Sequence, residues 1–334
     1  MRRSSVVVVG SLAVFAVACS ASPDGASSGT SQSEDLSADT ATQYVDIGDF
    51  WTTSADQSAW FAAVANVKLQ FENICGDTFC GSDYSNFEPL ELNCGVSSLR
   101  GQVKTCTWVF AASEAFVDGT KGTVTESAPH YLCTFAPKAT ARQLATALGA
   151  SGSLQGANLP GMTETLYDVV GDCLQKPIFA AAPAATSLAT PAPTPTIGAT
   201  TYENPADADN IDEGAWDDMA SGLSNSFANV CGDTFCEGDY SNLTAFLFTC
   251  SVDTKSTKID ECRWVLQGSY STVSAKTGAV TVNEKSWVCP ITAHGTAANL
   301  ITVLTAAGPV EPVDRILPGT NASAYDALAK CLDK

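Results

Sequence analysis

Trp60, Val64, Val67, Phe71 and Ile74 recur at intervals of three or four residues, and Trp216, Ala220, Leu223, Phe227 and Val230 do the same later in the chain. That spacing places each set on one stripe of an amphipathic helix. The period then changes to two. Leu90, Leu92, Cys94 and Val96, followed by Cys106, Trp108 and Phe110, read as two half-buried strands, with Phe246, Phe248, Cys250, Val252 and Cys262, Trp264, Leu266 as counterparts. A third strand carries Tyr131, Cys133 and Phe135, or Trp287, Cys289 and Ile291, and in the first set it follows a turn at Asp118-Gly119. Two short helices close each unit: Leu144 and Leu148 lie on one, Tyr167, Val170 and Leu174 on the other, with Leu300, Leu304, Tyr325, Leu328 and Leu332 as counterparts.

The same order of elements occurs twice because the chain contains an internal repeat. Cys75, Cys80, Cys94, Cys106, Cys133 and Cys173 are separated by 5, 14, 12, 27 and 40 residues, and Cys231, Cys236, Cys250, Cys262, Cys289 and Cys331 by 5, 14, 12, 27 and 42. Cys75-Gly-Asp-Thr-Phe-Cys80 and Asp83-Tyr-Ser-Asn86 return as Cys231 to Cys236 and Asp239 to Asn242. The fold expected is α+β: two tandem copies of a disulfide-rich domain, each an antiparallel sheet of about three strands with about three helices on one face. The boundaries read as a leader over 1–18, a tether over 19–43, copy one over 44–176, a Pro/Ala/Thr linker over 177–201 and copy two over 202–334. A linker of that composition favours extended backbone, so the copies are expected to behave as beads on a string.

Two arginines and then the apolar run Val6 to Ala18 form a signal peptide, too short to span a bilayer. Ala16-Val17-Ala18-Cys19 resembles the lipobox of bacterial lipoproteins, which implies cleavage before Cys19 and lipid attachment to its thiol. Cysteine arithmetic agrees, because 13 cysteines less two sets of six leave Cys19 unmatched. Ser20 is similar to the residue found in outer-membrane-sorted lipoproteins. The alternative is ordinary cleavage after Ala18, giving a soluble secreted or periplasmic protein. Net charge is −19, and loss of Arg2 and Arg3 with the leader makes it −21, which excludes nucleic acid as a partner class.

In an exported chain the twelve paired cysteines are expected to form three disulfides per copy rather than metal sites. Cys94, Cys106 and Cys133 share the phase of the core residues and should face the helices. If each strand cysteine bonds across to a helix or loop, each takes one of Cys75, Cys80 and Cys173.

The shared polar loop holds the candidate site. Asp77, Asp83 and Asn86, with Asp233, Asp239 and Asn242, supply hard oxygens of the kind calcium prefers, though without EF-hand spacing, and the same residue types serve turns and helix caps. Tyr84 and Tyr240, in that polar loop, are the candidate contact residues, whereas Trp60, Trp108, Trp216 and Trp264 lie on core stripes. The two histidines, His130 and His294, occupy different places in the two copies, so no duplicated Ser-His-Asp or Cys-His set can be built and no catalytic residue is assigned. The function expected is a non-catalytic binding or scaffold role at the cell envelope, anchored to the membrane through the N-terminal lipid and directed at cell-surface polysaccharide or protein. The alternatives are an envelope-directed hydrolase using the loop carboxylates, or a calcium-stabilised structural surface protein.

Overall fold

The computed structural model describes residues 42–80, 84–156, 158–179, 201–232 and 234–332. The leader, the lipobox with Cys19 and most of the linker lie outside them. The first repeat opens with β1 (Tyr44–Asp46) and the single turn α1 (Ile47–Phe50), followed by the long helix α2 (Ser54–Thr78). Thr53 caps α2, its hydroxyl accepting from the Asp56 N–H, and the stripe Trp60, Val67 and Phe71 is buried. β2 (Glu88–Ser97) and β3 (Val103–Ala111) then form a hairpin, β4 (Glu114–Val117) and β5 (Val124–Ser127) a second small ribbon, and β6 (His130–Phe135) returns beside β3. The order in the main sheet is β1-β2-β3-β6, all antiparallel. Helices α3 (Ala141–Leu148) and α4 (Leu166–Cys173) each start at a threonine capping box.

The second repeat reproduces this plan as β7 (Tyr202–Glu203), α5 (Glu213–Cys231), β8 (Thr244–Asp253), β9 (Ile259–Val273), β10 (Val280–Ile291), α6 (Ala297–Leu304) and α7 (Ala324–Leu332). Its sheet runs β10-β9-β8-β7. The expected strands and helices are present, and each main sheet gains a short fourth strand from the N-terminal side. β9 and β10 are continuous where β3/β4 and β5/β6 are broken, and Pro129, which has no N–H to place in a ladder, sits in the break.

The six expected bridges form, but the pairing differs from the expectation. Cys94 bonds Cys106 and Cys250 bonds Cys262, strand to strand; Cys75 bonds Cys80 and Cys231 bonds Cys236; only Cys133–Cys173 and Cys289–Cys331 join strand to helix. The reason is register. Cys94 and Cys106 stand directly opposite each other with Cα atoms 4.0 Å apart, near the roughly 4.5 Å of a non-hydrogen-bonded antiparallel pair, so the bridge needs no backbone movement. All four of these strand cysteines do face the helices, in cores built around Trp60 and Trp108 or Trp216 and Trp264.

The opposite sheet faces are also covered, and here the beads-on-a-string expectation fails. The described residues between 42 and 332 fall in one compact unit. Val109, Ala111, Val265 and Gln267 point away from the helices, yet each is at most 1% exposed. Leu90, Val109 and Ala111 pack with Leu132, Phe246 and Val282 of the two sheets. The two sheets therefore meet back to back, with a helix layer outside each. The contact is reciprocal. The Tyr44 N–H donates to the Ala275 carbonyl at one hairpin tip (2.9 Å), and the Tyr202 N–H to the Gly119 carbonyl at the other (3.0 Å). The Ser251 hydroxyl donates to the Gly122 carbonyl, while its counterpart Gly95 lies against Gly278, where a Cβ would sit 2.1 Å from the carbonyl oxygen. Repetition within one chain has produced the self-complementary geometry of a two-fold dimer.

Candidate functional site

The shared cysteine motif closes the first long helix of each repeat. In the first, the Phe79 and Cys80 N–H groups donate to the Cys75 carbonyl, and the Thr78 hydroxyl donates to the Ile74 carbonyl at 2.7 Å. The second repeats these contacts with Phe235, Cys236, Cys231, Thr234 and Val230. Phe79 packs between Phe71 (5.6 Å between ring centroids) and Tyr167 (4.9 Å), as Phe235 does between Phe227 (5.9 Å) and Tyr325 (4.9 Å). The motif is thus a helix terminus pinned by a bridge and an aromatic anchor.

Asn86 and Asn242, proposed above as oxygen donors for calcium, have a matched structural task. The Asn86 carbonyl oxygen accepts from the Ser113 N–H at 2.8 Å and its amide donates to the Ser113 hydroxyl at 2.9 Å; Asn242 makes the same pair of bonds to Ser269 at 2.9 and 3.0 Å. Each asparagine clamps the loop to the neighbouring hairpin. Asp239 is exposed on a short 3-10 turn, and Asp83, Asp233 and the side chain of Asp77 lie outside the described residues.

The two candidate tyrosines are both half-buried but occupy different surroundings. The Tyr84 hydroxyl meets the Ser127 hydroxyl at 2.8 Å and its ring sits edge-on to Phe87, 6.1 Å between centroids. Tyr240 is edge-on to both Tyr270 and Trp287 at 5.2 Å, with the Lys285 ammonium 4.5 Å from the Trp287 ring centre, and burial raises its phenol pKa. Tyr84 and Phe87 continue to the buried Tyr131, 5.2 Å from Phe87, whereas Tyr240, Tyr270 and Trp287 are all partly exposed.

Neither ring nitrogen of His130 has a hydrogen-bond partner among the described residues. His130 is fully buried, and burial alone lowers its pKa to about 4, so the ring is neutral; His294 is exposed beside Gly319.

Sequence reasoning missed the charged groups at the seam. Glu91 accepts from the Ser271 and Ser269 hydroxyls of the other repeat, and Arg263 bonds Glu261 and lies 3.7 Å from Glu126. Burial raises the pKa of both Glu91 and Glu126. Glu88, beside Glu72 and Lys68, is pushed by burial to about 7. It lines an open pocket of about 350 Å³ between α5 and β8, whose wall also carries Asp217, Ser221, Ser224, Asn225 and Thr249. A carboxylate with a raised pKa therefore faces an open pocket, but it comes from the seam and not from the cysteine loop. The signal available was the outward phase of β2, where Glu91 and Asn93 alternate with Leu90, Leu92 and Cys94; in an isolated sheet that phase faces water.

No known protein family, curated protein or solved structure matches this chain. Six intramolecular bridges suit an exported protein, and no helix among the described residues is long and apolar enough to cross a membrane.

Proposed function

We propose that the protein is a cell-envelope component, held at the outer membrane or cell surface by lipid on Cys19, with a non-catalytic binding or scaffold role toward envelope polysaccharide or protein. The observation that carries this reading is what duplication has kept. Asn86 and Asn242 make the same clamp, Phe79 and Phe235 fill the same aromatic slot, and each bridge has its counterpart, whereas the surroundings of Tyr84 and Tyr240 have diverged. A preserved frame with divergent surface side chains suits recognition. Joined through their sheets, the repeats would offer their loops at a fixed separation, so any gain from two contacts depends on the rigid body and not on linker length.

Two measurements test this. Mature protein should cosediment with insoluble envelope polysaccharide or with envelope protein, and Tyr240→Ala should lower the bound fraction several-fold, by about 1 kcal/mol or more. Full-length Cys19→Ser should leave the membrane fraction and become soluble. Absence of binding to both fractions would overturn the recognition role, and a membrane-retained Cys19 variant the anchor.

A further inference from the structure

Equivalent strand edges are finished differently in the two repeats. β6 and β10 each stand last in their sheet, so one side of each has no strand beside it. In the first repeat the chain leaving α4 closes part of that side. The His130 N–H donates to the Ile178 carbonyl at 2.8 Å and the Ile178 N–H donates to the His130 carbonyl at 2.7 Å, in antiparallel register. His130 thus turns both backbone groups outward, and by the alternation of a strand so do Leu132 and Thr134. Their counterparts, counted from Cys133 and Cys289, are Ser286, Val288 and Pro290. No backbone or side chain among the described residues bonds to that outer edge, and Val288 is 37% exposed. A row of unpaired N–H and C=O groups is a template for a further strand. Beside each edge runs a groove bounded by the last helix of the repeat. Val288, Ala327 and Lys330 line the one in the second repeat, of about 430 Å³, at the positions that Leu132, Val169 and Asp172 hold in the first, of about 440 Å³. The first groove has an acidic wall, Glu164 and Asp172, and the segment laid against it supplies Lys176 and Ile178. In the second those wall positions are Ala322 and Lys330, so the charge is reversed. An occupant that matches this groove carries an aliphatic side chain and, two residues earlier, a carboxylate where the first repeat uses a lysine.

We propose that the outer edge of β10, at residues 286–290, takes up an extended acidic segment of another protein as a fifth, antiparallel strand, with an aliphatic side chain in the groove and a carboxylate toward Lys330. Backbone bonds to the outward groups supply the affinity, and the groove selects the side chains. Pro290 has no N–H but still offers its carbonyl. Ile178 on β6 displays the same pose within this molecule. Tyr240 takes no part, so the site goes beyond the binding role argued above and stands or falls apart from it.

The test is an NMR titration of ¹⁵N-labelled mature protein with three acetylated and amidated peptides: Ser-Glu-Thr-Ile-Thr-Ser, the same peptide with Lys in place of Glu, and the first with N-methylisoleucine, which cannot donate the bond that Ile178 makes. The Glu peptide should move amide signals of β10 from Ser286 to Val288 and of α7 from Ala327 to Cys331. The Lys peptide should bind about fivefold more weakly, as an exposed charge pair allows, and the N-methyl peptide at least about tenfold more weakly. Lys330→Glu, on the exposed last turn of α7, should reverse the preference between the Glu and Lys peptides, and Lys330→Gln should erase it. Lys330→Gln decides the matter if Lys330→Glu does not fold. The proposal is overturned if no peptide moves these signals, if the N-methyl peptide binds as well as its parent, if the Lys peptide binds as well as the Glu peptide, or if the preference survives in the folded variants. Movement of the same signals on concentrating the protein without peptide would assign the edge to a second copy of the chain and overturn it too.

Discussion

The two repeats share a core and differ at their edges. Across the helix-facing side of each sheet the correspondence is close: Trp60 with Trp216, Trp108 with Trp264, Phe79 with Phe235, and every bridge with its counterpart. Where the repeats meet, equivalent positions have parted. Gly95 corresponds to Ser251 and Glu88 to Thr244, and away from the seam the left-handed turn position held by Gly101 (φ +62°) is held by Thr257 (φ +55°). A close-packed interior resists change because each substitution opens a void or forces an overlap. The seam is joined by polar contacts as well as by packing, so a change on one side can be matched by a different hydrogen bond on the other, and the two copies are free to specialise.

The strongest way to sharpen that contrast is to substitute one equivalent pair. Gly95→Ala places a Cβ against the Gly278 backbone and should destabilise the protein by about 3 kcal/mol, at the upper end for overpacking. Ser251→Ala removes the hydroxyl's bond to the Gly122 carbonyl and its acceptance from the Glu261 N–H, with no overlap introduced, and should cost about 1 kcal/mol. Urea denaturation of both variants measures the difference. Similar losses would show that the seam is not packed as described.

A smaller effect separates Glu88 from Thr244. Because burial raises the Glu88 pKa to about 7 from 4.5, the folded state holds its proton more tightly than the unfolded state does. The stability this group contributes is complete below pH 4.5 and is lost as pH rises through about 7. Glu91 and Glu126 shift in the same direction. Glu88→Gln should therefore leave stability unchanged at pH 4 and raise it at pH 8 by about 1 to 2 kcal/mol, a figure reduced for the half-exposed setting of the side chain. Thermal melts at the two pH values check this, and equal shifts at both would dismiss it.

Much of the architecture was legible. Periods of 3.6 and 2 placed the helices and main strands, and the tryptophans assigned to the core are buried there. The strand-to-strand bridges were not read, although the means existed: Cys94 and Cys106 are equidistant from Arg100, and Cys250 and Cys262 from Ser256, the centres of the hairpin turns. The seam was hidden for a different reason. Asn93, Thr107, Thr249, Ser251, Gln267 and Ser269 are polar, and alternation assigns polar positions to water, but each is at most 5% exposed. Several are satisfied across the seam, as Gln267 is by the Ala112 carbonyl at 2.7 Å and Asn93 by the Ser271 hydroxyl at 2.6 Å. A sheet face buried through hydrogen bonds has the same sequence pattern as one bathed in solvent. The candidate loop was found as a conserved feature, yet its described residues hold the frame, and the pocket with Glu88 depends on a juxtaposition that only the folded chain creates.

The most direct measurement of this account is to place a protease site within residues 180–200, cleave the folded and oxidised protein there, and follow the two fragments by size-exclusion chromatography without denaturant. Since no bridge crosses between repeats, only the seam would hold them. The fragments should elute together at the volume of the uncut chain and separate only on unfolding. Two independently folded fragments eluting apart would contradict it.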